Sequence, residues 1–389
     1  MTRLLLMAAM VIPAFAQENK TITLSLSHPG FESKQAEEQK LMVRLDASGN
    51  PLGYSMDAKS VFCSDKKCDV ITLGLEWSKL GTFIGYKLPQ GTNLTKYEHK
   101  PFTKADYAKF DDLMKNRSSI LAEIEIKQMI VKKKDAIKKT KQDNSENPGD
   151  VAGKSDTFQK VDAVSGATAD YVKEVVVEGA AYTCYTMWHW AHGDTSQQIR
   201  IHAQNTGSSE WLGTLLKSQL IDEVDFALEA ISRRQLHHAD LQKSAIANAS
   251  NTSMVGYQTL VAYLMAANPD PKTLYPALGK LLSQPGKKHR VYLLEQLLKQ
   301  TNAPPDEFLE TVASQVMDCE RFYELHLLLS MLEKNNANSQ RILTRVSHML
   351  GHDNFFFSRR AHAFLKNRDL PKKAKTAFDA YEKRYAGRL

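Results

Sequence analysis

The sequence predicts an α+β protein: a small antiparallel, β-rich N-terminal part followed by an all-α C-terminal region. Three observations carry that expectation. Near the N-terminus apolar residues alternate with polar ones, as at Ile22, Leu24 and Leu26, which is the period of a half-buried strand. From Ser208 onward, leucine-rich segments of helical spacing succeed one another to the end. Between the two, residues 132–157 turn to Lys, Asp, Asn, Ser, Gly and Pro, a composition that buries too little apolar surface to offset the entropy of ordering.

Taken in order, the chain opens on Arg3 and the apolar run from Leu4 to Phe15, and Ala14-Phe15-Ala16 supplies small residues at the spacing of a signal-peptidase site. Residues 1–16 are therefore expected to be a signal peptide, with Gln17 the first mature residue and the mature protein periplasmic or secreted. No cysteine stands at the cleavage point, so no lipid anchor is expected.

Residues 17–131 read as an α+β domain. Met42 to Leu45 leads into an Asp46-Ala47-Ser48-Gly49-Asn50 turn, and Val70 to Trp77 continues the alternation. Cys63 and Cys68 flank a polar turn between two strand-like runs, and an oxidising compartment favours a disulfide closing that hairpin. Thr103-Lys104-Ala105-Asp106 is a capping-box variant that opens a helix with Tyr107, Phe110 and Leu113 on one face. His99 reads as a surface histidine just before it.

Residues 132–157 read as a lysine-rich linker or loop, with Lys132, Lys133, Lys134, Lys138, Lys139 and Lys141 followed by Asn147-Pro148-Gly149. A docking arm for an acidic redox partner is the alternative. Residues 158–207 carry the most informative stretch, Asp162-Ala163-Val164-Ser165-Gly166-Ala167-Thr168. Gly166 permits a turn that a Cβ would obstruct, and Ala167 keeps the approach to Thr168 open. Residues Ala169 to Val176 read as a helix, which sets Thr168 at its start, where unpaired N–H groups favour a phosphate. Asp162 either orients Ser165 or Thr168 or binds a metal brought by a modifying enzyme.

This motif resembles that of the FMN-binding domain family, which includes the flavin-bearing subunits of the sodium-translocating NADH:quinone reductase and of the Rnf complex. The resemblance covers about a dozen residues. It implies covalent FMN on Thr168 through a phosphoester, a flavin transferase for maturation, and a membrane or extracytoplasmic redox partner. Asp162, Ser165, Gly166 and Ala167 then form the surroundings of that threonine. The aromatic segment that follows, Tyr182 to His192, offers Tyr185 and Trp188 as rings to cover the flavin. The alternative for that segment is a plain aromatic core.

Residues 208–389 are expected to form an α-helical repeat domain. Helices are read at Trp211 to Ile231, Met254 to Met265, Leu274 to Leu282, Val291 to Leu298, Phe308 to Val316, Phe322 to Leu332, Ile342 to Leu350, Phe355 to Leu365 and Ala374 to Tyr385. Leu274, Phe308 and Ile342 stand 34 residues apart, a spacing for stacked helix pairs. The tetratricopeptide and ankyrin signatures are missing, and the array resembles HEAT-type repeats in form. Such a domain is expected to dock a protein partner.

The formal charge is +7 for 389 residues, and no basic helix with interleaved aromatics points to nucleic acid. No catalytic constellation, metal-ligand set, nucleophile elbow or phosphate-binding glycine loop stands out. Cys184 and Cys319 sit in apolar helical surroundings and read as buried thiols. Two functions follow: an extracytoplasmic flavoprotein of electron transfer, a redox carrier or accessory subunit rather than a stand-alone enzyme, or a secreted α-helical repeat scaffold without flavin.

Overall fold

Strands β1 (Glu18–Ser27), β2 (Ala36–Leu45), β3 (Pro51–Lys59), β4 (Thr72–Ser78) and β5 (Phe83–Lys87) pair antiparallel in chain order as one meander. Alternation sets which face is buried. Leu41 pairs with Met56 and Met56 with Leu75, while Val43 pairs with Tyr54 and Tyr54 with Trp77, so each row delivers apolar side chains to one face. Asp46 closes the β2–β3 turn by accepting from the N–H groups of Ser48 and Asn50 at 2.9 and 2.8 Å.

The computed structural model describes residues 18–30, 36–60, 69–129, 170–284 and 289–388. The chain packs as two units, Met1–Gly207 and Ser208–Leu389. A sheet in the first unit and helices throughout the second make the protein α+β. The expected signal peptide, the lysine-rich stretch 132–157 and the Cys63–Cys68 pair lie outside the described residues.

In the first unit, α1 (Lys104–Lys115) opens on the expected capping box: the Thr103 hydroxyl accepts from Asp106 N–H, and Asp106 accepts from Thr103 N–H at 2.8 Å. Phe110 and Leu113 are buried, and the Tyr107 hydroxyl accepts from Leu94 N–H at 2.9 Å. Three further helices follow: α2 (Asp170–Lys173), α3 (Ala181–His192) and α4 (Asp194–Thr206). α4 packs on β1 and β3, and α3 packs on α4 and α1. A helix apolar on every side belongs inside, and α3 buries Cys184, Tyr185, Met187, Trp188, Trp190 and Ala191. Gly81, at φ +81°, lets the β4–β5 turn reach α4, where an added Cβ would stand 2.9 Å from Arg200 N.

The second unit consists of α5 (Ser209–Leu215), α6 (Ile221–Arg233), α7 (Ala239–Ala247), α8 (Met254–Ala267), α9 (Pro271–Leu282), α10 (Arg290–Lys299), α11 (Asp306–Ser314), α12 (Phe322–Lys334), α13 (Gln340–Ser347), α14 (Phe355–Leu365) and α15 (Lys372–Arg384). Each packs on the helix two places along the chain. One layer runs α5, α7, α9, α11, α13, α15. In the other, α6 packs on α8, α10 on α12 and α12 on α14. α8 meets α10 through Tyr257, whose ring lies 4.8 Å from that of His289 and 6.5 Å from that of Tyr292.

Helix C-termini leave carbonyls without intrahelical partners, and in this second layer the next helix satisfies them. Tyr263 of α8 donates to Leu236 O at 2.6 Å, just beyond α6. Lys334 of α12 donates to Leu298 O and Gln300 O at 2.7 Å each, at the end of α10. Arg368, beyond α14, donates to Ala337 O at 2.6 Å. Between α10 and α12, Arg290 and Glu324 form an ion pair at 2.9 Å with both side chains almost wholly buried.

Several boundaries correct the sequence reading. The helix expected from Trp211 to Ile231 is two, α5 and α6, because Asn248 takes the carbonyls of Leu216 and Ser218 at 3.0 and 2.8 Å, and Asn251 also takes that of Ser218. Those acceptors are thereby lost to a continuous helix. α4 and α7 were not expected at all. The helix after Thr168, expected from Ala169 to Val176, is described only over Asp170–Lys173. Val177 N–H turns instead to the Cys184 sulfur at 3.3 Å, and Gly179 takes φ +78° to start the chain toward α3.

Candidate functional site

Asp162, Ser165, Gly166, Ala167 and Thr168 lie outside the described residues. The structure does describe what brackets them. On one side, residues Ile126–Met129 form a 3-10 turn that packs on α3, with the Met129 side chain fully buried. On the other, α2 buries Val172, and its Lys173 carbonyl accepts from Lys109 of α1 at 2.9 Å. Both brackets belong to the first unit.

Tyr185 and Trp188, expected beside a flavin, stand on α3 in the middle of that unit. Trp188 is 3% exposed, and its indole N–H donates to Asn116 O at 2.8 Å. The Tyr185 hydroxyl donates to Ile124 O at 3.2 Å. Imidazoles of the same helix lie beside both rings. Tyr185 lies 4.2 Å from the His189 ring, and Trp188 lies 5.0 and 5.2 Å from His189 and His192.

The histidines complete this pattern. His189 Nε2 is 2.9 Å from Leu121 O, and His192 Nε2 is 2.8 Å from Met114 O. Four side chains of α3 thus bind carbonyls of residues 114–124, a stretch of mostly irregular chain whose acceptors need partners once buried. From the sheet, Trp77 Nε1 donates to Ala191 O at 2.9 Å. Burial lowers the pKa of both imidazoles, because a charged ring loses more hydration than a neutral one. Burial likewise raises the Tyr185 phenol and pushes the Cys184 thiol up to about 12. Burial thus favours the neutral form of each of these groups.

Two polar atoms of α3 depart from this economy. Thr186 Oγ1 and Trp190 Nε1 are buried with no hydrogen-bond partner among the described residues. They face the end of β1, where the His28 and Trp190 rings lie 5.4 Å apart and a Cβ on Gly30 would stand 2.7 Å from Thr186 Oγ1.

His99 is exposed and set 2.9 Å from Asp69. Cys184 and Cys319 are buried, as their surroundings indicated. Among the described residues no three His, Cys, Asp or Glu side chains converge as metal ligands. Nor is any helix among them long and apolar enough to cross a membrane.

A cleft of about 560 Å³ lies between α9 and α11. Tyr275, Gly279 and Phe308 line it, with Lys272, Lys280 and Glu307 among its polar residues. Gly279 leaves the notch beside Phe308, and Pro276, inside α9, has no N–H to give the Lys272 carbonyl. Only a proline in a helical pattern hinted at it.

Compared with protein-family models, with curated proteins and with solved structures, the chain matches none.

Proposed function

We propose that this protein is an exported flavoprotein, periplasmic or secreted, that carries FMN covalently on Thr168 and transfers electrons outside the cytoplasm. The observation that carries the reading is the run from Asp162 to Thr168, which joins an acidic residue, a hydroxyl, a turn-permitting glycine, a small residue and a threonine in seven positions. The bracketing of this run by Met129 and Val172, both buried in the first unit, supports it, because a rigid body next to the modified loop gives the cofactor a fixed setting. A covalent link also suits export, where a dissociable cofactor is lost. Bound FMN supplies one- and two-electron redox chemistry, and the protein supplies position and tuning.

Within this reading, Asp162, Ser165, Gly166 and Ala167 present Thr168 to a flavin transferase. No cover for the flavin ring is drawn from Tyr185 and Trp188, which are buried with their polar atoms bonded to the carbonyls of Ile124 and Asn116. The redox partner is a membrane or extracytoplasmic protein. Co-expression of the exported chain with a flavin transferase is expected to give a fluorescent band on a denaturing gel, lost in Thr168→Val. A dark wild-type band from cells in which a known substrate of the transferase fluoresces refutes the assignment.

A second reading is a secreted α-helical scaffold without flavin. It is favoured by exposed apolar side chains along one edge of the second unit. We take that unit to be a HEAT-like helical-repeat array, since helices of one layer begin at Ile221, Met254, Arg290, Phe322 and Phe355, a nearly constant interval, and each stacks on its predecessor. Docking of a protein partner on the array is common to both readings.

A further inference from the structure

The large exposed apolar side chains of the second unit, among its described residues, gather in one place. Leu220 and Ile221 are 63% and 41% exposed at the start of α6. Met254 and Val255 are 45% and 66% exposed at the start of α8. Met317, Phe322 and Tyr323 cluster just before and at the start of α12, and Phe356 opens α14 at 66% exposure. Single exposed apolar residues need no explanation, but a contiguous series does.

The series follows one layer whose helices are tied to one another, although α10, between α8 and α12, adds no large exposed apolar side chain among the described residues. Their C-terminal ends are joined through Tyr263, Lys334 and Arg368. Their N-terminal ends also touch. His289 Nε2 lies 3.4 Å from Thr252 O, the Tyr323 hydroxyl donates to Glu295 at 3.0 Å, and the Phe322 and Phe357 rings lie 6.0 Å apart. First-turn positions ordinarily favour polar and acidic side chains, so apolar pairs repeated there are out of keeping with helix stability.

Charge narrows the choice of occupant. Asp222 and Glu223 follow Ile221, Asp318 and Glu320 precede Phe322, and Asp353 precedes Phe355, against Lys217 and Arg321 at the same ends. Lys287 and Lys288, before α10, lie outside the described residues, so the charge argument rests on the ends of α6, α12 and α14. An acidic rim on a chain of net charge +7 repels an anionic lipid surface. It equally disfavours the same edge of a second copy, which would set acid against acid.

Spacing narrows it further. Packed helices lie about 8–10 Å apart, and seven residues of α-helix rise about 10.5 Å. A helix laid across this edge therefore brings a residue of the same face to each successive apolar position.

We propose that the N-terminal edge of α6, α8, α12 and α14 docks a basic amphipathic helix of a partner protein, its apolar stripe repeating every seven residues. This rests on the docking role of the helical array and not on the flavin.

The test uses the full chain and two labelled synthetic helices of about 28 residues, long enough to span roughly 40 Å. One carries leucine in a heptad stripe with lysine elsewhere, the other leucine with glutamate. Fluorescence anisotropy is expected to show the lysine peptide binding at least about tenfold tighter, a difference of one 1.4 kcal/mol step. Val255→Ser combined with Phe356→Ser is expected to weaken it by a similar factor. Asp222→Asn with Asp353→Asn should narrow the gap between the peptides, while Met42→Ser, at an exposed site in the first unit, changes nothing. Equal binding of both peptides, or full affinity in the Val255→Ser, Phe356→Ser variant, overturns the proposal. So does co-sedimentation with anionic phosphatidylserine vesicles, or concentration-dependent dimerisation, abolished by the same two substitutions. None of these readouts depends on the colour of the Thr168 band, so the two ideas fail separately.

Discussion

The two units hold themselves together in different ways. In the first, the ties are long: Trp77 reaches Ala191 across 114 residues, and Trp188 and His192 reach back 72 and 78 residues to the carbonyls of Asn116 and Met114. One buried helix, α3, collects these ties. In the second, the ties are short and repeated, spanning 27 to 36 residues from Tyr263 to Leu236 and from Lys334 to Leu298. A unit organised around one helix loses everything when that helix is damaged. An array of neighbours responds locally.

Trp188→Ala is the strongest way to break that contrast. It empties a fully packed site and orphans the Asn116 carbonyl, and we expect a loss of about 3–5 kcal/mol. Three of the protein's tryptophans, Trp77, Trp188 and Trp190, lie in the first unit, so urea unfolding followed by near-UV circular dichroism reads it directly. Signal loss across the whole first unit is expected, with the helical far-UV signal of the array retained.

Glu324→Ala probes the array with a similar insult. It leaves Arg290 buried and uncompensated, at an expected cost of about 3–5 kcal/mol. Hydrogen exchange should rise in α10 and α12 and remain slow in α5 to α7. Uniform exchange across the unit would erase the distinction between the two modes of cohesion.

Acid sharpens the comparison. His28, His189, His192 and His202 all belong to the first unit, and burial lowers each pKa from 6.5. Above pH 6.5 they are neutral both folded and unfolded, so they contribute no pH dependence. Below it the unfolded chain binds protons that the folded one refuses, and stability falls as pH drops toward the depressed values. Tryptophan-detected melts should therefore be flat from pH 8 to 7 and move down by pH 5, and His189→Gln should reduce the slope.

The smallest change has the opposite sign. Thr186→Val replaces a buried hydroxyl that has no partner among the described residues with an isosteric methyl, and is expected to stabilise the first unit by about 1 kcal/mol. A destabilised variant would mean that the hydroxyl is bonded.

Much of this organisation was visible beforehand. The strands followed from alternation, and the Thr103–Asp106 cap from its residue types. α4 was missed because Asp194–Thr206 carries few apolar residues, and its place is set by the sheet it covers. The α5–α6 break was missed because Leu216 and Ser218 give their carbonyls to asparagines some thirty residues away. The roles of Tyr185 and Trp188 in the fold were hidden for a related reason: an aromatic cluster looks the same in sequence whether it faces a ligand or the backbone of residues 114–124. The apolar edge was hidden too, since its members are scattered over more than 130 positions and only stacking assembles them.

The bonds that finish the helix ends in the second layer all point the same way. Each donor, Tyr263, Lys334 or Arg368, is later in the chain than the carbonyl it satisfies. During synthesis, every segment therefore leaves the ribosome with its tail incomplete and is finished by the one that follows. Shortening the protein from its C-terminus strips these donors from carbonyls that remain, so these ends of the second layer depend on the chain that follows them.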